Sequence, residues 1–195
     1  MRRLVLASAS PRRKQLLGDA GLDFEVRVSG VDESYGSFEA PAEVAEELAR
    51  RKAKAVAEIY EGEEALVIGA DTVVALDLDG GWKLLGKPLD AEEASEMLTE
   101  LSSSRHAVIT GVCVVVAPGG KTLTASECTW VTMREISPLE VEAYVSSGEW
   151  EDKAGGYAIQ ESADAFVSSL EGGGFDNVVG LPVGLVRTLL AAADG

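Results

Sequence analysis

Short apolar segments alternate with amphipathic segments along nearly the whole chain, and this pattern constrains the fold more than any other feature. The apolar runs have the length of strands, and helical patterns with capping signals lie between many of them. Such alternation is typical of an α/β fold, in which helices cover a sheet. We predict strands at 4–7, 24–28, 65–70, 73–78, 82–85, 107–116, 122–133 and 165–170, and helices at 11–18, 41–60, 91–101, 138–148 and 182–193.

The charge balance limits the partners of the chain. Its 195 residues include 33 acidic and 17 basic side chains, which gives a net charge of −16, and 46% hydrophobic residues suffice for one domain over 1–195. This charge disfavours polymeric nucleic acid and anionic membranes as partners. The apolar run after Arg2-Arg3 is too short for a secretory signal, and no apolar run approaches the roughly 20 residues that span a bilayer. We therefore expect a cytoplasmic protein with no membrane partner.

Cysteine and histidine usage argues against a zinc site. Cys113 and Cys128 are too far apart for a C-x-x-C motif, and His106 is the one histidine. We expect both cysteines to be reduced and buried on neighbouring strands. A catalytic metal would then be a hard cation, Mg²⁺ or Mn²⁺, held by carboxylates and substrate oxygens.

The motif Ser8-Ala9-Ser10-Pro11-Arg12-Arg13 joins the first predicted strand to the first helix. Cations in the first turn of a helix oppose the helix dipole, so two arginines there indicate a bound anion. Backbone N–H groups, serine hydroxyls and arginine side chains would together bind phosphate. The alternative is a Ser-Pro cap followed by two exposed arginines.

Two further residues are candidates for the same chemistry. Asp71 follows the predicted strand 65–70, and a carboxylate at a strand end could hold a metal or take a proton from water. The alternative is a structural aspartate that stabilises a turn. Lys52 lies in the apolar stripe of the helix 41–60, where it either extends from the edge of the core or points into a cleft.

Two polar segments in the second half of the sequence, and His106, complete the candidates. The sequence of residues 81–88 nearly matches the P-loop motif, but Pro88 stands where that motif has its magnesium-binding Ser or Thr. Only Lys87 of this segment is therefore a candidate phosphate ligand. The segment 153–160, Lys-Ala-Gly-Gly-Tyr-Ala-Ile-Gln, combines a cation, an aromatic ring and an amide that could read a base edge. The same segment could equally form a structural turn. His106 has no visible partner for a nucleophilic triad, and a structural role is favoured for it.

These motifs, taken together, resemble the Maf family of nucleoside triphosphate pyrophosphatases. The resemblance covers nearly the whole chain and implies a mixed twisted central sheet flanked by helices. It also implies two lobes with an active cleft, a fold like that of the inosine triphosphate pyrophosphatases, and often a homodimer. The motifs that carry it lie at 4–17, 69–72, 86–88, 110–111, 153–160 and 177–182.

The resemblance also implies an activity, the hydrolysis of a nucleoside triphosphate to a monophosphate and pyrophosphate with a divalent cation. The sequence at 153–160 favours the dTTP/UTP branch; a 7-methyl-GTP or purine triphosphate pyrophosphatase and a non-enzymatic regulator of septum formation are the alternatives. The matching positions imply a proton acceptor at Asp71, substrate selection by Arg12, Thr72 and Gln160, phosphate contacts from Ser8, Ser10, Arg13, Lys52, Lys87 and Lys153, and a metal site at Glu33 and Asp71.

Overall fold

The computed structural model describes residues 2–36, 40–60, 62–79 and 81–195. The strands are β1 (Arg3–Leu6), β2 (Glu25–Val26), β3 (Ala65–Leu78), β4 (Gly81–Leu85), β5 (Arg105–Ala117), β6 (Lys121–Met133) and β7 (Val167–Glu171). The helices are α1 (Pro11–Asp19), α2 (Pro41–Ala57), α3 (Ala91–Leu101), α4 (Pro138–Ser147), α5 (Phe175–Val179) and α6 (Val183–Asp194). Among the described residues no helix is both long and apolar enough to cross a membrane.

The strands form one mixed sheet in the order β2-β1-β3-β5-β6-β7, with β4 paired to β3. β1 runs parallel to β2 and β3, whereas β4 is antiparallel to β3 and β7 is antiparallel to β6. The predicted α/β class with a mixed central sheet and flanking helices is confirmed.

The chain divides into two compact units. The first comprises Met1–Thr72, Thr110–Glu127 and Gly180–Gly195, and the second comprises Val73–Ile109 and Cys128–Val179. β3, β5 and β6 each contribute one segment to each unit. The assignment of 1–195 to a single domain stays a prediction.

In the first unit, helices cover both faces of the sheet. Successive side chains of a strand point to opposite faces, and the core follows this period. The apolar stripe of α2 packs on one face and α1 and α6 pack on the other. The α2 face buries Val5, Val67, Cys113 and Val115, whereas the α1 and α6 face buries Leu6, Ile68, Val112 and Val114.

The helix α2 lies directly against the sheet at two glycines. A Cβ atom at Gly69 of β3 would lie 2.2 Å from the carbonyl oxygen of Ala49, and one at Gly111 of β5 would lie 2.3 Å from the carbonyl carbon of Ala45. Contacts this short do not occur between real atoms, so both positions require a residue without a side chain. The two glycines therefore set how closely α2 approaches the sheet.

In the second unit, α3 packs against α4 and against the turn Ala154–Gly156. Both helices begin at side-chain caps. The Asp90 carboxylate accepts from the N–H of Glu93 at the start of α3, and Ser137 and Glu140 form a complete capping box at the start of α4. Gly148 ends α4 in the left-handed conformation with φ of 76°.

Several predicted elements differ from the observed ones. The predicted strands 65–70 and 73–78 are one continuous strand, β3, so the expectation that Asp71 ends a strand is wrong. β1 pairs only up to Ile68, and Asp71 lies in the part of β3 beyond that pairing. The short helix α5 has no counterpart in the prediction. Cys113 is buried as expected but Cys128 is exposed, so that expectation was half wrong; both are free thiols.

The close approach at Gly69 leads to a stability prediction. We expect Gly69→Ala to lower the free energy of unfolding by about 1–3 kcal/mol, because the added methyl group must push backbone against backbone. Urea unfolding followed by circular dichroism measures the change. Gly18→Ala is the matched control, since a Cβ at Gly18 of α1 meets no atom within 4 Å. Equal stability of the two variants would contradict the prediction.

Candidate active site

The turn from β1 into α1 uses its serine hydroxyls locally. Ser10 is the N-cap of α1, and its hydroxyl accepts from the N–H of Arg13. The Ser8 hydroxyl is buried and accepts from the N–H of Ser10 at 3.2 Å. Pro11 follows the cap at the first helical position, as the sequence predicted.

Arg13 is the central side chain of the first unit's polar cluster. Its Nε donates to the carbonyl oxygen of Gly180 at 2.8 Å, one Nη donates to Thr72 Oγ1 at 3.1 Å, and the other donates to Ser8 Oγ at 3.4 Å. The Thr72 hydroxyl also bonds to the hydroxyl of Thr110 at 2.9 Å. The guanidinium thus ties the start of α1 to β3 and to the segment that leads into α6.

The charge of Arg13 lies in a protected position. Burial lowers the pKa of the Arg13 guanidinium from its ordinary value; the carboxylate of Asp71 opposes that shift and the charge of Arg12 adds to it. An arginine stays protonated under such a shift because its ordinary pKa is so high. A fixed positive charge therefore lies near Asp71, with Arg12 beside it on the first turn of α1.

On the other face of the sheet, Lys52 joins two carboxylates. Its Nζ atom lies 2.5 Å from Asp71 Oδ1 and 2.7 Å from Glu33 Oε1. Lys52 is 7% exposed and Asp71 is 9% exposed, whereas the Glu33 side chain is 47% exposed. Lys52 therefore points from the apolar stripe of α2 to the two carboxylates.

Asp71 and Thr72 belong to different clusters because successive side chains of a strand point to opposite faces of the sheet. Asp71 shares the α2 face of the sheet with Gly69 and meets Lys52 there. Thr72 lies on the opposite face and meets Arg13. One step along β3 thus separates an ion cluster from a hydrogen-bonded cluster.

In the second unit, the motifs at 86–88 and 153–160 lie against each other. The N–H of Gly155 donates to the carbonyl oxygen of Gly86 at 2.9 Å. A Cβ atom at Gly156 would lie 3.5 Å from Cγ of Pro88, so the two motifs are in contact there as well. The Lys153 ammonium donates to the carbonyl oxygen of Glu151 at 3.3 Å. The side chains of Lys87 and Gln160 are exposed next to these contacts.

His106 is buried in the second unit, away from solvent. It is 0% exposed, and its Nε2 bonds to the hydroxyl of Tyr157 at 2.9 Å. Burial lowers the pKa of His106 to about 4, so the ring is neutral at neutral pH. The structural interpretation favoured by the sequence agrees with this position.

Sequence reasoning gave no individual role to two groups in the first cluster. Thr110 is a fully buried hydroxyl within an apolar strand, and such a residue signals a specific polar partner. The carbonyl oxygen of Gly180 belongs to the backbone, and no side-chain pattern could have indicated that it accepts from Arg13.

The pair Glu33 and Asp71 suits a hard cation. Mg²⁺ typically binds one or two carboxylates and completes its shell with water and substrate phosphate oxygens. Within the described ranges, no group of three or more His, Cys, Asp and Glu side chains forms a metal site. The two carboxylates therefore fit a cation that binds together with a phosphate substrate.

Comparison with known proteins agrees with the resemblance. The Maf model, described as Maf-like protein, matches residues 3–193. A protein of Pelotomaculum thermopropionicum named dTTP/UTP pyrophosphatase is 47% identical over 97% of this chain and 96% of its own length. Proteins with the same name from Desulforamulus reducens and Bacillus cytotoxicus are each 46% identical, over 94% and 97% of this chain and 92% and 95% of their own lengths.

The buried imidazole predicts how stability depends on pH. The pKa of His106 is about 4 in the folded protein and 6.5 in an ordinary environment, so between these values the unfolded chain binds a proton that the folded chain does not. This group therefore costs no stability above pH 6.5 and up to about 3 kcal/mol as pH falls to 4. Urea unfolding at pH 7.5 and pH 4.5 should show a smaller loss for His106→Phe than for the wild type. An equal loss in both proteins would contradict the assignment.

Proposed function

The chain belongs to the Maf family, and on that premise we propose that it is a nucleoside triphosphate pyrophosphatase that acts on dTTP and UTP. The reaction cleaves the bond between the α- and β-phosphates and releases a monophosphate and pyrophosphate. The names of the relatives from three genera support this substrate choice.

The observation that carries the proposal is the contact between Lys52 and Asp71. The Asp71 carboxylate is 9% exposed, and the Lys52 ammonium lies 2.5 Å from its Oδ1, so the buried carboxylate has a cation as its direct hydrogen-bond partner. Phosphoryl transfer depends mainly on positioning and on neutralisation of charge, and it needs no covalent nucleophile. A carboxylate held in place among fixed cations supplies the positioning and charge that such a reaction requires.

We assign to Asp71 the role of proton acceptor. Lys52 binds Oδ1, and Oδ2 would accept the proton of the attacking water. The water oxygen forms a bond to a phosphorus of the α,β-anhydride, the bridging P–O bond breaks, and the electron pair leaves with the departing phosphate. The proton on Asp71 is then returned to solvent.

The first unit offers several groups for the phosphates. The Ser8 oxygen accepts from the N–H of Ser10 and from Arg13, so its own O–H can donate to a phosphate oxygen. The positive charges of Arg13 and Lys52 would offset the negative charge of the triphosphate. Ser10 would act chiefly through the start of α1, which it caps.

We propose that Glu33 and Asp71 hold a divalent cation, Mg²⁺ or Mn²⁺. When bound, the cation would neutralise phosphate charge and polarise the phosphorus centre. In that arrangement the Lys52 ammonium would share the carboxylates with the cation or turn to a phosphate oxygen.

The remaining assignments rest on the resemblance. We propose that Lys87 and Lys153 contact phosphates and that Arg12, Thr72 and Gln160 select the substrate. The amide of Gln160 carries a donor and an acceptor side by side, which complements the imide edge shared by thymine and uracil. The hydroxyl of Thr72 is held between Arg13 and Thr110, which gives it one orientation.

We further propose a cytoplasmic enzyme, in keeping with two free thiols, that limits the incorporation of non-standard pyrimidine nucleotides. The homodimer implied by the resemblance stays a prediction.

The proposed base leads to a direct test. We expect Asp71→Asn to lower kcat for dTTP and UTP by about 100-fold or more, because general base catalysis of this kind contributes factors of that size. Pyrophosphate release with Mg²⁺ or Mn²⁺ measures the effect. Asp77→Asn is the matched control, since Asp77 is an exposed aspartate on the same strand.

Three results would overturn the proposal. Full turnover by Asp71→Asn would show that Asp71 is not the base. Wild-type protein that releases pyrophosphate from 7-methyl-GTP or purine triphosphates but not from dTTP or UTP would establish the other specificity. Binding of nucleotides without any turnover would favour the non-enzymatic regulator.

Base selection by Gln160 gives a second prediction. Gln160→Ala should lower kcat/KM for dTTP and UTP about 10- to 100-fold while changing dCTP less, since cytosine presents the inverted donor and acceptor pattern. Gln15→Ala, which truncates an exposed glutamine of α1, is the control. A uniform change for all nucleotides would argue against base recognition by this amide.

A further inference from the structure

His106 and Tyr157 form a buried polar pair that the proposed reaction does not use. Their rings meet edge to face, with centroids 5.6 Å apart and planes at 82°. The Tyr157 hydroxyl bonds to His106 Nε2, and the Ser104 hydroxyl lies 3.4 Å from Nδ1. Both ring nitrogens of the histidine therefore have a hydroxyl partner.

Neither His106 nor Tyr157 carries a charge at neutral pH. Burial keeps the imidazole uncharged at neutral pH and raises the pKa of the Tyr157 hydroxyl, which retains its proton. A neutral imidazole has one donor and one acceptor nitrogen, so each hydroxyl can complement one of them. Removal of either partner would leave a buried polar group unsatisfied, which is more costly than the bond itself is favourable.

Tyr157 belongs to the segment 153–160, which is anchored at successive residues. The N–H of Gly155 donates to Gly86, and the N–H of Ala158 donates to the hydroxyl of Tyr144 at 3.0 Å. Gly155 adopts a φ of 71° and packs against Val74, so the backbone there has little room to shift. These contacts hold the backbone, and the bond to His106 holds the buried side chain of Tyr157.

The exposed end of this segment is Gln160. Residues 155–159 are buried, and Gln160 is the first exposed residue after them. Its position therefore depends on the path of the chain through Tyr157. A displacement of about 1 Å is enough to weaken a directional contact to a substrate substantially.

We propose that His106 is a positioning residue for substrate selection, which acts through the hydroxyl of Tyr157 to fix the segment that presents Gln160. The inference rests on the proposed function, because it takes the contact of Gln160 with the base from that proposal. The histidine itself touches neither the substrate nor the reacting atoms.

The experiment compares three variants with the wild type. Tyr157→Phe removes only the hydroxyl, His106→Leu removes the imidazole, and His106→Gln keeps a polar group that can bond to Tyr157. Tyr60→Phe is the matched control, since it deletes the hydroxyl of a buried tyrosine in the other unit. Each protein is assayed with dTTP, UTP and dCTP, and amide hydrogen exchange is followed in the peptide that contains residues 154–160.

We expect Tyr157→Phe and His106→Leu to lower the ratio of kcat/KM for dTTP to that for dCTP about 10-fold, mainly through KM. Exchange in the 154–160 peptide should be faster in both variants. His106→Gln should recover part of the ratio, and Tyr60→Phe should change neither quantity. Inhibition by inorganic pyrophosphate should be unaltered, because that ligand carries no base.

Two outcomes overturn the role of His106 in an active enzyme. One is an unchanged nucleotide ratio in Tyr157→Phe, and the other is unchanged exchange in the peptide. If His106→Leu fails to fold, Tyr157→Phe alone decides. Wild-type protein that does not hydrolyse dTTP or UTP would instead overturn the proposed function, so the two failures are distinguishable.

Discussion

The direct contact between α2 and the sheet is the constraint on which the first unit depends. Gly69 and Gly111 let the helix backbone approach the strand backbone where any side chain would collide. Lys52 lies between Ala49 and Ala53, the residues that face Gly69, and Asp71 follows Gly69 on the same face of β3. The short distance between the ammonium and the carboxylate is therefore a consequence of the helix packing, and the candidate base and its cation are placed by the core.

The net charge of the chain does not describe the charge around the candidate site. A net charge of −16 describes a surface that repels polymeric anions. Within the first unit, however, Arg13 and Lys52 are held in protected positions by backbone carbonyl, hydroxyl and carboxylate groups. Two other basic residues near the start of the chain form ordinary surface ion pairs: Arg2 pairs with Asp194, and Arg3 pairs with Glu25 and Glu63. The two roles differ in burial, since the Lys52 side chain is 9% exposed whereas those of Arg2 and Arg3 are 35% and 59% exposed.

Local chemistry made much of the fold predictable. The caps of α3 and α4, the proline at the start of α1 and the apolar stripe of α2 act within a few residues, so their signals appear directly in the sequence. The predicted end of a strand after residue 70 was wrong. That prediction followed from the general observation that a charged residue after an apolar run is typical of a strand end. Here β3 continues through Asp71, since the aspartate is neutralised by Lys52, which lies 19 residues away in sequence.

The sequence by itself determined the α/β class, the helix boundaries set by caps, and the set of polar motifs whose order identifies the family. Only the tertiary structure decided that Lys52 binds Asp71 and Glu33. It likewise decided that Arg13 bonds to Thr72 and to the carbonyl oxygen of Gly180, and that His106 bonds to the hydroxyl of Tyr157. These contacts join residues far apart along the chain. Their distances depend on strand register, on the face to which each side chain points and on the closeness of helix packing, and none of these is a property of a local stretch of sequence.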